Sequence, residues 1–165
     1  MIHLYTDFGS AGPYVGQMHA VLARAAPSVP RIDLMHDAPR FAPAAAGCLL
    51  AAIIRDLPSG GVILAVVDPG VGSARRPIVL RAEGRWLVGP DNGLLAFAAG
   101  IDGAAAWEIT WRPTRLSASF HGRDLFAPVA AHLAIGEAPP GEPADPSGIL
   151  GADSERNLPI VVYVD

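Results

Sequence analysis

Four short segments of the sequence place acidic, basic or imidazole side chains next to glycines. They are TDFGSAGPYVG (residues 6–16), VVDPGVGSARR (66–76), GPDNGLL (89–95) and SFHGRDLFAP (119–128). The first three follow apolar runs that are typical of strands, and open α/β sheets bind ligands where their strands end. These segments therefore hold the residues best suited to binding and catalysis.

Asp7 is the first candidate, because it follows an apolar run and lies near Gly9 and Gly12. A carboxylate so placed can lie in a crevice and accept two hydrogen bonds from a diol. An aspartate that only caps a turn would give the same pattern. The triplet Asp-Phe-Gly also mimics the metal-binding motif of protein kinases, but no other kinase signature accompanies it, so that interpretation is rejected.

Asp68 ends the most apolar strand, and the glycines after it, Gly70 and Gly72, let the backbone approach a ligand closely. Arg75 can fold back on this carboxylate and keep it ionised. An ordinary surface loop with a weak ion pair is the alternative. The glycine spacing matches neither the GxGxxG pattern of dinucleotide-binding folds nor a P-loop.

The third and fourth segments contribute Asn92 and His121. The turn around Asn92 could contact a ligand, but it is equally typical of an Asx turn or a helix cap. His121 stands at the entry of a predicted helix, where an imidazole can act as a proton acceptor. No His or Cys residues are paired at metal-ligand spacing, so the sequence predicts no catalytic metal.

Short apolar runs alternate with longer amphipathic segments along the chain, which predicts an α/β layer architecture. Strands are predicted at residues 2–6, 31–35, 61–67, 77–82 and 85–89, with a weaker one near residue 107, and helices at 13–25, 43–57, 94–99 and 123–135. Residues 137–148 hold four prolines and two glycines, which predicts an irregular connector. A further strand is predicted at residues 158–165.

Composition limits the classes of function. The chain has 165 residues, of which 51% are apolar and 17% charged, which suits one well-packed domain. The net charge of −4, without a run of Lys or Arg, disfavours nucleic-acid binding. The longest apolar stretch, residues 42–54, is too short to span a bilayer. The single Cys48 cannot form an internal disulfide, so we expect a cytoplasmic protein.

Taken together and in order, the motifs TDFG…YVG, VVDPGVGSARR, PDNGLL and FHGRDLFAP resemble the S-adenosylmethionine hydroxide adenosyltransferases. These enzymes are hydrolase relatives of the bacterial fluorinating and chlorinating enzymes. The resemblance implies a three-layer α/β/α, Rossmann-like domain of the fluorinase type with a mostly parallel or mixed sheet. It also implies attack by water or hydroxide on C5′ of S-adenosylmethionine, giving adenosine and methionine, without a metal or a cofactor.

The same resemblance carries residue roles onto this chain. Asp68, Arg75 and His121 match the family's Asp-Arg-His set, which holds and activates the water. The family pattern places Asp7 at the ribose diol, Phe41 at the nucleoside and Asp165 at the amino-acid end of the substrate. Asn92, in the third motif, is a further substrate-binding candidate.

The chemistry of substitution at a saturated carbon leaves two bases open, Asp68 and His121. Because pairing with Arg75 makes Asp68 a weaker base, His121 is mildly favoured as the proton acceptor. Halogenation is the first alternative reaction, and it ranks below hydrolysis because an ionised carboxylate at the site would repel a halide.

Domain organisation is the remaining expectation. Residues 1–150 are predicted to form the α/β domain that binds S-adenosylmethionine, and residues 137–165 a connector and the first strand leading toward a C-terminal β-barrel domain that this chain lacks. Family members assemble as trimers, so a homotrimer is expected. Because the site would be incomplete without the second domain, a non-catalytic nucleoside-binding or assembly module is the other alternative.

Overall fold

The computed structural model describes residues 1–153, and in that range the strands form a single seven-stranded mixed sheet. The strands are β1 (Ile2–Thr6), β2 (Arg31–Met35), β3 (Val62–Val66), β4 (Pro77–Ala82), β5 (Arg85–Pro90), β6 (Ala105–Ile109) and β7 (Gly141–Ala144). Their order across the sheet is β2-β1-β3-β5-β4-β6-β7. Neighbours from β2 to β5 pair in parallel, and β4, β6 and β7 extend the sheet by antiparallel pairing.

Helices cover both faces of this sheet. They are α1 (Tyr14–Ala25), α2 (Pro43–Ile53), α3 (Ala96–Ala99) and α4 (Ala127–Ala134), with a π-helical turn at Gly122–Phe126 and 3₁₀ turns at Ile54–Asp56 and Pro146–Gly148. One apolar core lies between the sheet and α1 and α4, and a second lies between the sheet and α2 and α3. The predicted three-layer α/β/α fold with a mixed sheet is therefore confirmed.

The predicted strands agree closely with the observed ones, and β3 is one residue shorter at each end than predicted. The predictions for β1, β2 and β4 match the observed bounds to the residue. Helix α2 ends at Ile53, and the last turn of the predicted helix is a 3₁₀ turn. Pro128 is the second residue of α4, which continues directly from the π-helical turn Gly122–Phe126, so the bend predicted at this proline lies where the type of helix changes.

The prediction that residues 137–148 are wholly irregular is wrong. Residues Gly141–Ala144 form β7, which pairs antiparallel with β6 and places Pro143 opposite Trp107. Proline is tolerated here because, among the strands of residues 1–153, β7 lies at the edge of the sheet and pairs on one side only. The strand predicted at residues 158–165 lies outside the described residues.

The parallel part of the sheet positions the predicted chemistry. Strands β1, β3 and β5 run in the same direction, so their carboxyl ends meet at one edge. Asp7 follows β1, Asp68 lies just beyond β3, and Asn92 lies in the turn after β5. His121, which lies directly before the π-helical turn and much later in the sequence, reaches the same region.

Candidate active site

A cavity of about 370 Å³ opens at the carboxyl edge of β1 and β3. Its lining comes from the ends of these strands, the start of α1, the loop after β2 and the segment before the π-helical turn. The lining residues are Asp7, Phe8, Tyr14, Arg40, Phe41, Val66, Asp68, Val71, Ser119, Phe120, His121 and Gly122. The structure thus brings together Asp7, Phe41, Asp68 and His121 from the predicted set.

Asp68 and Arg75 form an ion pair beside this cavity. Nε of Arg75 lies 3.0 Å from each carboxylate oxygen of Asp68, and Nη2 donates to Oδ2. The two side chains are only 5% and 9% exposed, so the pair is largely shielded from solvent. The guanidinium also lies over the ring of Phe126, 5.2 Å from its centroid. Arg75 is therefore held on two sides.

The loop between these two residues depends on Gly72, which has a φ of +80°. A Cβ at this position would lie 2.5 Å from the carbonyl oxygen of Ala118. Glycine therefore lets the loop after β3 pack directly on the segment that leads to His121. This contact brings the Asp68–Arg75 pair and His121 together, although they are far apart in sequence.

Arg75 also contacts His121, with Nη2 lying 3.0 Å from Nδ1 of the imidazole. An arginine side chain can only donate, so Nδ1 is the acceptor and the proton of the neutral ring sits on Nε2. Burial lowers the pKa of His121, and the charge of Arg75 lowers it further. This geometry weighs against His121 as the proton acceptor, because its unprotonated nitrogen already faces a cation.

Asp7 also lines the cavity, at the end of the neighbouring strand β1. Its Oδ2 accepts a hydrogen bond from the backbone N–H of Phe41 at 3.3 Å. Burial raises the pKa of Asp7 and the charge of Asp68 acts in the same direction, whereas the Phe41 N–H and the charge of Arg40 oppose the rise. The carboxylate is thus half-buried and close to a cation at the mouth of the cavity.

Phe41 adopts a backbone conformation that is unusual for a bulky residue. Its φ is +56°, in the left-handed region, and its side chain is 76% exposed. Such a conformation costs energy and persists only when neighbouring contacts hold it. The bond from its backbone N–H to Asp7 is one such contact, so the rim of the cavity carries an exposed aromatic residue whose backbone is held by Asp7.

The turn that carries Asp7 is itself fastened to the loop after β2. Oγ1 of Thr6 accepts from the N–H of Phe8 at 3.3 Å and lies 2.8 Å from Nδ1 of His36. The N–H of Gly9 donates to the carbonyl of His36 at 2.6 Å. These bonds hold Asp7 and Phe41 in one rigid unit.

Three aromatic residues of the cavity wall are not among the site residues predicted from the sequence. Phe8, Tyr14 and Phe120 pack edge-on or tilted, with centroids 5.2 to 5.9 Å apart. Gly122 permits this packing, because a Cβ there would lie 3.2 Å from Phe8 and 3.3 Å from Phe120. Each ring lies within two residues of a predicted site residue or glycine, and this proximity was the available signal.

Asn92 does not line the cavity. Its Nδ2 donates to the carbonyl of Val67 at 2.9 Å, and its Oδ1 accepts from the N–H of Leu94 at 3.2 Å. The second bond is the Asx turn that the sequence left open as an alternative. Asp165 lies outside the described residues.

Two further observations concern residues 1–153 as a whole. Within that range no three His, Cys, Asp or Glu side chains converge as they would around a metal ion. None of the helices in the described part of the chain has the length and apolar character needed to cross a membrane.

Residues 2–142 match the family model of the SAM hydroxide adenosyltransferase N-terminal domain. The chain belongs to this family. The resemblance carried by the four motifs is therefore confirmed. In the structure, three of those motifs lie at the cavity, and the fourth, PDNGLL, lies directly behind it.

Two curated relatives of this SAM hydroxide adenosyltransferase family member are both named (R)-S-adenosyl-L-methionine hydrolase. The (R)-S-adenosyl-L-methionine hydrolase of Salinispora arenicola is 47% identical over 158 residues, which cover 90% of this chain and 59% of that protein. The protein of the same name from Thermus thermophilus is 43% identical, over 85% of this chain and 59% of the relative. The chain thus spans about three fifths of the length of these relatives.

A solved structure has the same fold. The crystal structure of an uncharacterized conserved protein from Thermotoga maritima superposes with a TM-score of 0.83 at 39% sequence identity. The match covers 87% of this chain and 58% of that one.

Proposed function

We propose that this chain catalyses hydrolysis of S-adenosyl-L-methionine, with water attacking C5′ of the ribose to give adenosine and L-methionine. The observation that supports it best is the contact of Arg75 with both Asp68 and His121 beside a cavity that Asp7 also lines. The names of the curated relatives point to the same substrate.

The proposed step is an in-line displacement. The bond from the water oxygen to C5′ forms while the bond from C5′ to sulfur breaks, and the electron pair of that bond goes to sulfur. Methionine leaves as a neutral thioether, so the leaving group needs no acid. The proton that water loses passes to Asp68 and then to solvent, which balances the reaction.

Asp68 serves as the proton acceptor because its carboxylate lines the cavity and its two oxygens have lone pairs to spare while they accept from Arg75. Nδ1 of His121 has a single lone pair, and Arg75 occupies it. The Nε2–H of His121 is left to donate to the attacking oxygen. Arg75 remains charged throughout and is hydrogen-bonded to both partners. Catalysis by this set comes from positioning and from exclusion of bulk water rather than from a strong base.

Asp7 and Phe41 hold the nucleoside in the proposed complex. The carboxylate of Asp7 accepts hydrogen bonds from the ribose diol, and the exposed ring of Phe41 lies against the nucleoside. The rings of Phe8, Tyr14 and Phe120 give the sulfonium side an apolar and electron-rich wall. A sulfonium cation is favoured there over a neutral thioether, which helps substrate bind and product leave.

The proposal also covers the cofactor requirement, the oligomeric state and the cellular location of the enzyme. No cofactor takes part, since the sulfonium is already an activated leaving group. The family pattern supports a homotrimer, in which a neighbouring subunit closes the cavity. The single Cys48 supports a reducing, cytoplasmic location.

Product analysis tests this function. The purified chain, and the same chain extended by the C-terminal part of the Salinispora arenicola hydrolase that it does not cover, are incubated with S-adenosylmethionine and chloride. Mass spectrometry should find adenosine and methionine in equal amounts, and at least roughly 100-fold less of both with Asp68→Asn. A 5′-chlorinated nucleoside would favour halogenation instead. Binding of substrate without product in both proteins would favour a non-catalytic binding module.

A further inference from the structure

The turn between β5 and α3 is hydrogen-bonded to both ends of the loop after β3, residues 67–76, which is called the catalytic loop here because it carries Asp68 and Arg75. Nδ2 of Asn92 donates at 2.9 Å to the carbonyl of Val67, the residue before Asp68. Oδ2 of the adjacent Asp91 accepts from Nε and Nη2 of Arg76 at 2.9 and 2.6 Å. Arg76 is the residue after Arg75, so two consecutive side chains hold the residues that flank the Asp68–Arg75 pair.

A backbone hydrogen bond adds to these side-chain contacts. The N–H of Asp91 donates to the carbonyl of Arg76 at 2.9 Å. The Asp91 side chain is 6% exposed and that of Arg76 is 35% exposed, so the carboxylate end of this ion pair is buried and the guanidinium end is partly open to water. Between the two anchors, residues 73 and 74 are exposed and have small side chains, so the loop has little packing there beyond the close approach of Gly72 to Ala118.

The same ion pair also holds the segment that follows β7. Nη2 of Arg76 donates to the carbonyl of Gly148 at 2.7 Å, and the N–H of Leu150 donates to Oδ1 of Asp91 at 2.8 Å. Ile149, between them, is buried in the core that α2 and α3 cover. The chain after the sheet is thus tied to the catalytic loop through one pair of side chains.

We propose that Asp91 and Asn92 are positioning residues, which set the Asp68–Arg75 pair against His121 and couple it to residues 148–150. Asn92 therefore acts on catalysis through Val67 and not by contact with substrate. Reacting groups must be held to within a fraction of an ångström, and a shift of about 1 Å can cost roughly 100-fold in rate. The catalytic part of this proposal rests on the hydrolase function proposed above.

Three variants separate the contacts. Asn92→Ser keeps an oxygen that can accept from Leu94 but is too short to reach Val67. Arg76→Gln removes the ion pair at a partly exposed position, where folding should be preserved. Arg85→Gln is the matched control, because Arg85 donates to the carbonyl of Leu57 at the opposite end of the sheet.

The first readout needs no enzymatic activity. The Nε–H signal of Arg75 in a ¹H–¹⁵N spectrum, assigned by its loss in Arg75→Lys, should shift or broaden in Asn92→Ser and in Arg76→Gln. It should stay in place in Arg85→Gln. An Arg75 signal that moves in neither test variant would overturn the positioning role, whether or not the protein hydrolyses S-adenosylmethionine.

The second readout is kinetic. Both test variants should lose roughly 10- to 100-fold in kcat with KM within about threefold of the parent, as expected when only the alignment of reacting groups changes. A rise in KM with kcat unchanged would overturn the proposal and return Asn92 to a role in substrate binding. If the parent has no turnover while the Arg75 signal still moves, the hydrolase function fails and the positioning role stands.

Discussion

Nη2 of Arg75 lies 3.0 Å from Nδ1 of His121, and this contact determines which nitrogen of the imidazole carries the proton. Because a guanidinium only donates, the neutral ring is protonated on Nε2. The same guanidinium binds the Asp68 carboxylate, so one side chain orients both partners. Each role proposed for these residues depends on this arrangement.

The pH dependence of kcat follows from the state of His121. Its pKa lies below the ordinary value of 6.5 because of burial and the charge of Arg75, so the ring stays neutral near pH 7. Protonation below that range would put a proton on Nδ1, against Arg75. We therefore expect kcat to be flat near neutrality and to fall only below pH 6.5.

His121→Gln is the control for this profile. Glutamine keeps one acceptor and one donor but does not titrate. The variant should retain part of the activity and lose the fall in kcat that His121 causes. A midpoint above pH 6.5 in the parent would contradict the lowered pKa of His121, and the same profile in His121→Gln would show that another group causes the fall.

Substrate binding should depend on the ionisation of Asp7. Burial raises the pKa of this carboxyl, and the charge of Arg40 opposes the rise. KM should therefore increase as the pH falls through the Asp7 pKa. Arg40→Gln should move that increase to higher pH, and Arg40→Lys should restore it. Asp7→Asn should raise KM by roughly 10- to 100-fold, the value of a hydrogen bond to a charged group.

Arg75 and Asp68 should behave as one unit. Arg75→Lys keeps the charge but loses the paired donors that reach Asp68 and His121 together, so we expect kcat to fall by about 100-fold or more. The double variant Asp68→Asn/Arg75→Lys should be little worse than the poorer single variant. Additive losses in kcat would show that the two side chains act independently.

Two helical glycines give a matched test of packing. Gly16 in α1 has open space where a Cβ would be, whereas a Cβ at Gly47 in α2 would lie 2.5 Å from the carbonyl oxygen of Leu94. Gly16→Ala should raise the free energy of unfolding by about 0.5–1 kcal/mol through helix propensity. Gly47→Ala should lower it by about 1–3 kcal/mol through overpacking. Urea unfolding measures both, and equal shifts would contradict the packing of α2 on that turn.

Much of the fold could be predicted because its signals are local. Apolar runs bounded by turns located β1, β2 and β4, and carboxylates beside glycines after β1 and β3 located Asp7 and Asp68. Strand β7 could not be found in this way. A segment rich in proline forms a strand only because β6 offers it one free edge, and that is a tertiary effect.

In the candidate site, too, local features could be predicted and tertiary contacts could not. The types of residue that form it were readable from the motifs, but their contacts were not. Whether Asn92 faces the cavity or Val67, and which nitrogen of His121 is free, depends on how separate loops pack. The ring cluster of Phe8, Tyr14 and Phe120 likewise exists only once α1 and the π-helical turn meet.

Isotope labelling tests the central claim most directly. The protein, in the form that turns over, is incubated with S-adenosylmethionine in oxygen-18 water, and the position of the label is read by mass spectrometry. Hydrolysis at C5′ assisted by Asp68 predicts the label in the 5′-hydroxyl of adenosine, unlabelled methionine, and loss of this product in Asp68→Asn. Label in the amino-acid product, or undiminished labelled adenosine from Asp68→Asn, would contradict it.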